Sequence, residues 1–126
     1  MKRITISLAV IVLLAVAPAA QANFLSGPHA KHYAKQAVKR HDKMGYSNGH
    51  KKTISCKKIN RTRQRCAMKW DVSVAVIKGH ATVWLKGDST SDWAYKLDFK
   101  AIDRRCIAYG GSKSDCTYHY HYRGDK

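Results

Sequence analysis

The stretch CKKINRTRQRCAMKWDVSVAVI, residues 56–77, decides the fold of this chain. Its first half is an Arg-rich segment between Cys56 and Cys66, with a turn signal, Asn60-Arg61-Thr62, in the middle. From position 64 to position 77, apolar and polar residues alternate with the period of a β-strand. The stretch therefore predicts a hairpin whose second strand is long. One face of that strand is predicted to carry Cys66, Met68, Trp70, Val72, Val74 and Val76.

Two pairs of cysteines have the same spacing. Nine residues separate Cys56 from Cys66, and nine separate Cys106 from Cys116. If each pair lies across a hairpin, the two turns centre on Arg61 and Gly111, and both centres coincide with turn signals. We therefore predict two hairpin disulfides, Cys56–Cys66 and Cys106–Cys116, although four cysteines allow three pairings. Zinc binding is the competing interpretation, but zinc ligands usually lie two to four residues apart.

The first 22 residues have the pattern of a secretory signal peptide. A basic start at positions 2–3 precedes an apolar run over 4–16, and Ala20-Gln21-Ala22 is a small-x-small cleavage site. The run is too short and wrongly flanked for a stable membrane span, and an uncleaved anchor is the alternative interpretation. We predict a secreted domain at residues 23–126, extracellular or associated with the cell envelope, with no transmembrane segment in the mature chain.

The remaining pattern predicts a single α+β domain. A helix is predicted over residues 28–44, because Pro28 suits a first helical turn and apolar residues then recur with a period near 3.6. Turns are predicted at Lys78-Gly79 and at 87–91. Strands are predicted at 52–58, 64–77, 80–86 and 92–102, with a final hairpin over 104–123. The predicted fold is one N-terminal amphipathic helix packed on an antiparallel meander of four to five strands.

The segment from Cys56 to Cys66 resembles the cysteine-bracketed, Arg-rich hairpin of small secreted actinobacterial proteins of unknown function. In that family a signal peptide and a basic helix precede the hairpin, and strands with a V-x-V-W-like stretch follow. Ala81-Thr82-Val83-Trp84-Leu85 is similar to that stretch, whereas Lys57-Lys58-Ile59 departs from the more usual Arg-x-Ser after the first cysteine. The resemblance implies secretion and an α+β fold, and it implies no site residues.

The positive charge of the chain predicts an anionic partner. Without residues 1–22, the chain has 22 basic and 8 acidic side chains, a net charge of +14, and every acidic residue is Asp. One basic group lies on the predicted helix between Lys31 and Lys43, and a second surrounds the first hairpin. Trp84, predicted to be exposed, could stack on a base or sugar. The predicted polyanion-binding residues are Lys51, Lys52, Lys57, Lys58, Arg61, Arg63, Arg65 and Trp84.

Three functions are compatible with this composition. The first is a non-enzymatic binding module for a cell-wall polymer, a nucleic acid or lipid headgroups, against which stands a merely solvated basic surface. The second is a secreted enzyme inhibitor that presents the stapled loop 57–65 to a protein target. The third is a small secreted nuclease, which would need histidine and lysine because the chain has no Glu to act as a base. We expect a monomer without a cofactor, and the sequence assigns no catalytic residue.

The segment Tyr118-His119-Tyr120-His121-Tyr122 near the C-terminus alternates histidine with tyrosine. On a strand, this alternation places both histidines on one face and the three tyrosines on the other. Two such histidines could bind Cu²⁺, Ni²⁺ or Zn²⁺. The sequence offers no third ligand, so we predict a polar strand face and no metal site.

Overall fold

The computed structural model describes residues 24–87 and 91–125, so the predicted signal peptide and Asn23 lie outside the described residues. The elements in chain order are α1 (Gly27–Lys39), a 3-10 turn (Asp42–Met44), β1 (His50–Asn60), β2 (Arg63–Asp71), β3 (Ala75–Leu85), β4 (Trp93–Asp103), α2 (Arg104–Ala108) and β5 (Thr117–Asp125). The strands form one open antiparallel sheet in chain order, which confirms the predicted meander and its fifth strand. Within these two ranges, no helix has both the length and the apolar character needed to cross a membrane.

Small side chains let α1 lie close against the sheet. The Ser26 hydroxyl caps the helix by accepting a hydrogen bond from the backbone N–H of His29, and Pro28 lies in the first turn. Four residues of one helix stripe are fully buried against the strands: Ala30, Ala34, Ala37 and Val38. The helix ends at Lys39, five residues before the predicted end, and the 3-10 turn that follows is closed by Gly45 in the left-handed region (φ 63°).

The first hairpin has the predicted register. Cys56 lies opposite Cys66 and is bonded to it, and Ile54 lies opposite Met68. The turn is one residue shorter than the predicted Asn60-Arg61-Thr62, because the register shifts after Lys58 and Asn60 pairs with Arg63. The Asn60 side-chain oxygen accepts a hydrogen bond from the backbone N–H of Thr62 at 3.0 Å within this turn. The N-terminal lead-in is attached to this hairpin: the buried Gln64 side chain donates to the Leu25 carbonyl at 2.8 Å.

The prediction of one strand over 64–77 is wrong. The chain turns at residues 72–74, where the Val72 N–H donates to the Ala75 carbonyl, and β3 then runs through the predicted Lys78-Gly79 turn. Because Asp71 pairs with Val76 across this reversal, the parity of burial changes, so Ile77 is buried opposite Trp70 while Val76 lies on the other face. Valines in the turn continue the apolar alternation of β2, which conceals the reversal in the sequence.

The predicted hairpin over 104–123 is also wrong, although its disulfide, Cys106–Cys116, is present. Residues 104–108 form α2, because the Asp103 carboxylate caps that turn by accepting hydrogen bonds from the backbone N–H groups of Arg105 and Cys106. β5 pairs with β4 and not with residues 104–109. The second disulfide therefore ties a short helix to the residue that precedes β5.

Aromatic contacts fix the helix to the last two strands. Tyr33 of α1 stacks on Trp93 with ring centroids 4.7 Å apart. The His41 ring stacks on Tyr122 at 3.9 Å and hydrogen-bonds the Tyr95 hydroxyl through Nε2, as expected for a packed histidine with a satisfied ring nitrogen. These contacts attach α1 and the residue His41 after it to β4 and β5.

The close approach of β4 to Gly79 can be tested by substitution. A Cβ atom at position 79 would lie 2.7 Å from the Phe99 Cα, and it would also meet the Asp98 carbonyl oxygen. We expect Gly79→Ala to lower the free energy of unfolding by roughly 1–3 kcal/mol, because β4 must move to admit the methyl group. Urea denaturation checks this value. Gly27→Ala is the matched control, since a Cβ at position 27 meets nothing within 4 Å. Equal stability of the two variants would contradict the close approach.

Candidate functional site

The sheet face opposite α1, here called the open face, collects charged side chains from all five strands. Gln64, Cys66 and Met68 are buried on the helix side, so the alternate residues of β2 point to the open face. The register then sets three successive rows across the sheet. The lysine row is Lys69, Lys78 and Lys100; the histidine row is His80, Asp98 and His121; the second basic row is Lys57, Arg65, Lys96 and Arg123.

The lysine row places three like charges on neighbouring strands. Lys69 lies opposite Lys78, and Lys78 lies opposite Lys100, so their backbone positions are one strand spacing apart, about 4.8 Å. Repulsion from Lys100, and then from Lys113 and Lys69, lowers the pKa of Lys78. Among the described residues, none of the three lysines has a carboxylate partner within ion-pair distance. The row is therefore a concentrated, unneutralised positive charge.

The acid of the histidine row is held by its neighbours. His121 Nδ1 lies 2.7 Å from Asp98 Oδ1, and Lys96 Nζ lies 3.6 Å from the other carboxylate oxygen. The hydrogen bond from His121 is the main cause that lowers the pKa of Asp98, so this carboxyl group is ionised at neutral pH. An ionised carboxylate only accepts hydrogen bonds, so Nδ1 of His121 carries the hydrogen. Nε2 of His121 has no hydrogen-bond partner among the described residues.

His80 has a different environment from His121. It lies on the other side of Asp98, is half-buried, and is near the Arg65 guanidinium. Partial burial, followed by repulsion from Arg65, lowers the pKa of His80, and Asp98 opposes the shift only in part. At neutral pH the imidazole of His80 is therefore the neutral form, which can accept a proton.

The lysine row and the histidine row line one shallow depression of about 670 Å³ in the open face. His119 of β5 completes its edge beside Lys100. Asp71, the open-face acid next to Lys69 along β2, is ion-paired with Arg104 at 3.2 Å and lies outside this depression. The second basic row borders the histidine row on the side away from the lysines. The histidine row thus lies between two rows of cations.

The predicted polyanion-binding residues are divided between the two faces. Lys57 and Arg65 belong to the second basic row, and Arg63 lies beyond it with its guanidinium carbon 5.0 Å from the centre of the Trp84 ring. Trp84 was predicted to be exposed and is half-buried under this contact. The structure thus brings four of the eight predicted residues together on the open face.

The other four predicted residues lie elsewhere. Lys58 contacts the Phe24 ring at 5.1 Å, and Lys52 contacts the Tyr46 ring at 4.8 Å, both on the helix side of β1. Lys51 adopts a positive φ of 51° at the irregular start of β1, and Arg61 lies in the turn at the hairpin tip. The stapled segment 57–65 is mainly paired sheet and does not project as a loop.

Sequence reasoning missed the centre of the open face. The lysines at 69, 78 and 100, with His80 and Asp98, are far apart in the chain and carry no common motif. His119 and His121 do share a face, as predicted, with parallel rings 6.3 Å apart. In residues 24–87 and 91–125 no three His, Cys or Asp side chains are grouped closely enough to hold a metal ion. These residues can be grouped from the sequence only when the register of β2, β3, β4 and β5 is known.

The contact between His121 and Asp98 predicts a measurable titration. We expect His121→Ala to raise the pKa of Asp98 toward the ordinary value for aspartate, because the variant removes the hydrogen bond that stabilises the carboxylate. Since the pKa of Asp98 is depressed in the folded protein, its contribution to stability is present above the pKa of the unfolded chain and is lost as the pH falls through the folded value. Carboxyl ¹³C NMR titration checks the shift. His119→Ala, without this contact, should leave the titration of Asp98 unchanged, and a similar shift in both variants would contradict the assignment.

No match to a known protein suggests a role for the open face. The resemblance to small secreted actinobacterial proteins stays a prediction. The chain matches no family model, no curated protein and no solved structure.

Proposed function

We propose that this chain is a secreted binding module that holds a phosphate-bearing polymer, in the first place a single-stranded nucleic acid, on the open face. The observation that carries the proposal is the lysine row. Three lysines occupy paired positions on neighbouring strands without carboxylate partners in the described structure, and repulsion from neighbouring lysines lowers the pKa of Lys78. A bound phosphate chain would relieve that repulsion and release counterions from the polymer.

The arrangement of the cations supports a linear polyanion over a single small anion. The lysine row and the second basic row lie on either side of the histidine row, about 14 Å apart along the strands. Lysine ammonium groups act as point charges toward phosphate, and the guanidinium groups of Arg65 and Arg123 add bidentate donors. A chain with several phosphates can contact both rows at once, whereas one phosphate group reaches one row.

Trp84 and Arg63 support a polymer that carries flat bases. They form a cation–π pair at the end of the open face beyond the second basic row. The planar guanidinium of Arg63 covers the ring of Trp84 and can itself stack on a base. A phosphate polymer without bases would leave this pair unused.

A secreted location is consistent with the two disulfides of the described chain. Disulfides persist in oxidising compartments, and both cysteine pairs are oxidised in this fold. Together with the predicted signal peptide, they support a function outside the cell or in its envelope. There the available polymers include extracellular nucleic acid and the anionic polymers of the cell wall.

We expect neutralisation of the lysine row to weaken nucleic-acid binding and its dependence on salt. Fluorescence anisotropy with a labelled single-stranded DNA oligonucleotide, between about 50 and 200 mM salt, measures both quantities. The triple variant Lys69→Ala, Lys78→Ala, Lys100→Ala should lower the slope of log K against log salt by about 2, because three phosphate contacts are lost.

The matched control removes the same charge from the helix side. The control is the triple variant Lys31→Ala, Lys35→Ala, Lys39→Ala, whose three lysines are exposed on α1. This variant should retain the greater part of the affinity and of the salt slope. Equal losses in the two triple variants would mean that only net charge matters, and the open face would then have no specific role. Retention on anionic lipid vesicles without any binding to DNA at low salt would overturn the nucleic-acid assignment.

A further inference from the structure

The histidine row contains chemistry that polymer binding alone does not use. His80 and His121 lie on β3 and β5, on opposite sides of Asp98 of β4, and all three face the depression. Their Cα atoms are two strand spacings apart, about 10 Å, so two imidazoles can reach a group placed over Asp98 from opposite sides. The neighbouring rows would hold the phosphates before and after that group.

We infer that the open face cleaves single-stranded RNA by internal transesterification, with His80 as the general base and His121 as the general acid. The inference rests on the proposed function, because the two basic rows must first hold the RNA chain. It goes beyond binding by assigning an activity and a substrate class to the same face.

The two histidines have environments that suit opposite roles. Burial and Arg65 keep the imidazole of His80 neutral, so it can take the proton of a 2′-hydroxyl group. Asp98 accepts a hydrogen bond from Nδ1 of His121 and leaves Nε2 without a partner among the described residues, so the imidazolium form of His121 can give its Nε2 proton to a leaving oxygen. Asp98 is therefore a positioning residue that acts through His121 and does not touch the substrate.

The reaction balances without a co-reactant. The ribose 2′-oxygen attacks the adjacent phosphorus as His80 accepts its proton, so a P–O2′ bond forms. The P–O5′ bond breaks, and the 5′-oxygen takes the proton on Nε2 of His121, which enters this step as an imidazolium with a hydrogen on each ring nitrogen and leaves it neutral with the Nδ1 hydrogen still donated to Asp98. The products are a 2′,3′-cyclic phosphate and a free 5′-hydroxyl group. Solvent exchange returns both imidazoles to their starting protonation states.

The lysine row supplies the electrostatic part of this mechanism. Negative charge accumulates on the non-bridging oxygens of the phosphorus in the transition state, and ammonium groups brought close to it stabilise that charge. Lys78 lies two residues from His80 on β3, and Lys100 lies two residues from Asp98 on β4. Each is therefore about 7 Å along its strand from the histidine row, within the reach of a flexible lysine side chain.

The chemistry restricts the substrate to RNA. DNA lacks the 2′-hydroxyl nucleophile, so the open face should bind DNA and leave it intact. RNA with 2′-O-methyl groups should also be bound and left intact, which makes it a probe of binding without turnover. These two ligands separate the cleavage step from the binding step.

The experiment incubates the purified mature protein with a labelled single-stranded RNA oligonucleotide, and mass spectrometry identifies the products. We expect fragments that end in a 2′,3′-cyclic phosphate. His80→Ala and His121→Ala should each lower the cleavage rate by about 10²–10⁴-fold, the usual contribution of one general acid or base. Both variants should still bind 2′-O-methyl RNA, which shows that they are folded. His32→Ala, on the exposed surface of α1, should cleave at the parent rate.

A variant of Asp98 tests its positioning role. Asp98→Asn should lower kcat more than it raises KM, because the amide no longer holds His121 with a charge-assisted hydrogen bond while the basic rows still bind the RNA. A change confined to KM would show that Asp98 affects binding only. That result would overturn its place in the mechanism.

The outcomes distinguish the two proposals. If the parent protein binds 2′-O-methyl RNA and cleaves no RNA, the cleavage inference is wrong and the binding proposal stands. If the double variant His80→Ala, His121→Ala cleaves RNA at the parent rate, the activity does not come from this face, and the inference is also overturned. If no nucleic acid is bound even at low salt, the proposed function itself is wrong.

Discussion

The packing of the α1 alanine stripe against one face of the sheet is the constraint on which the rest of the structure depends. Ala30, Ala34 and Ala37 are fully buried and bring the helix backbone close to the strands. Trp93, Leu97 and Trp70 then fill the space beside the helix. Because one helix covers one face, every strand must alternate inward apolar and outward polar residues. The open face is the direct consequence, since the described chain has no second long helix to cover it.

Charge of one sign on a small sheet acts against the fold, and two disulfides offset that effect. The Cys56–Cys66 bond lies on the helix side, one residue along each strand from Lys57 and Arg65 of the second basic row. The Cys106–Cys116 bond fixes the connection that carries Lys113, which contributes to the repulsion on Lys78. Each bond closes an 11-residue loop, worth about 2.8 kcal/mol in the chain-entropy estimate. The crosslinks thus hold the segments that carry Lys57, Arg65 and Lys113.

Local signals predicted the parts of this fold whose contacts are local. The pairing of Cys56 with Cys66 followed from the turn signal at 60–62 and the hairpin disulfide, and the structure differs only in a register shift between Lys58 and Asn60. The reversal at residues 72–74 was missed because its valines imitate a strand, and Gly79, interpreted as a turn, instead permits the close approach of β4. Asp103 caps α2 through its own side chain, a signal that is legible in the sequence but was outweighed by the symmetry of the cysteine spacing. The open face could not be assembled from sequence once the register of β3 was wrong, because its rows join residues from five strands.

The grouping of the cations weighs against an ordinary solvated surface. Like charges directly opposite each other on neighbouring strands destabilise a sheet, and Lys69, Lys78 and Lys100 form two such pairs in succession. The chain does pair acids with bases elsewhere, as at Asp71 with Arg104 and at Asp125 with Lys86. Both of these pairs lie outside the depression, while the acid within it, Asp98, is held by His121. A surface that served only solubility would gain stability from a carboxylate within the lysine row. The lysine row without one lowers the stability of the fold, and a bound anion would remove that repulsion.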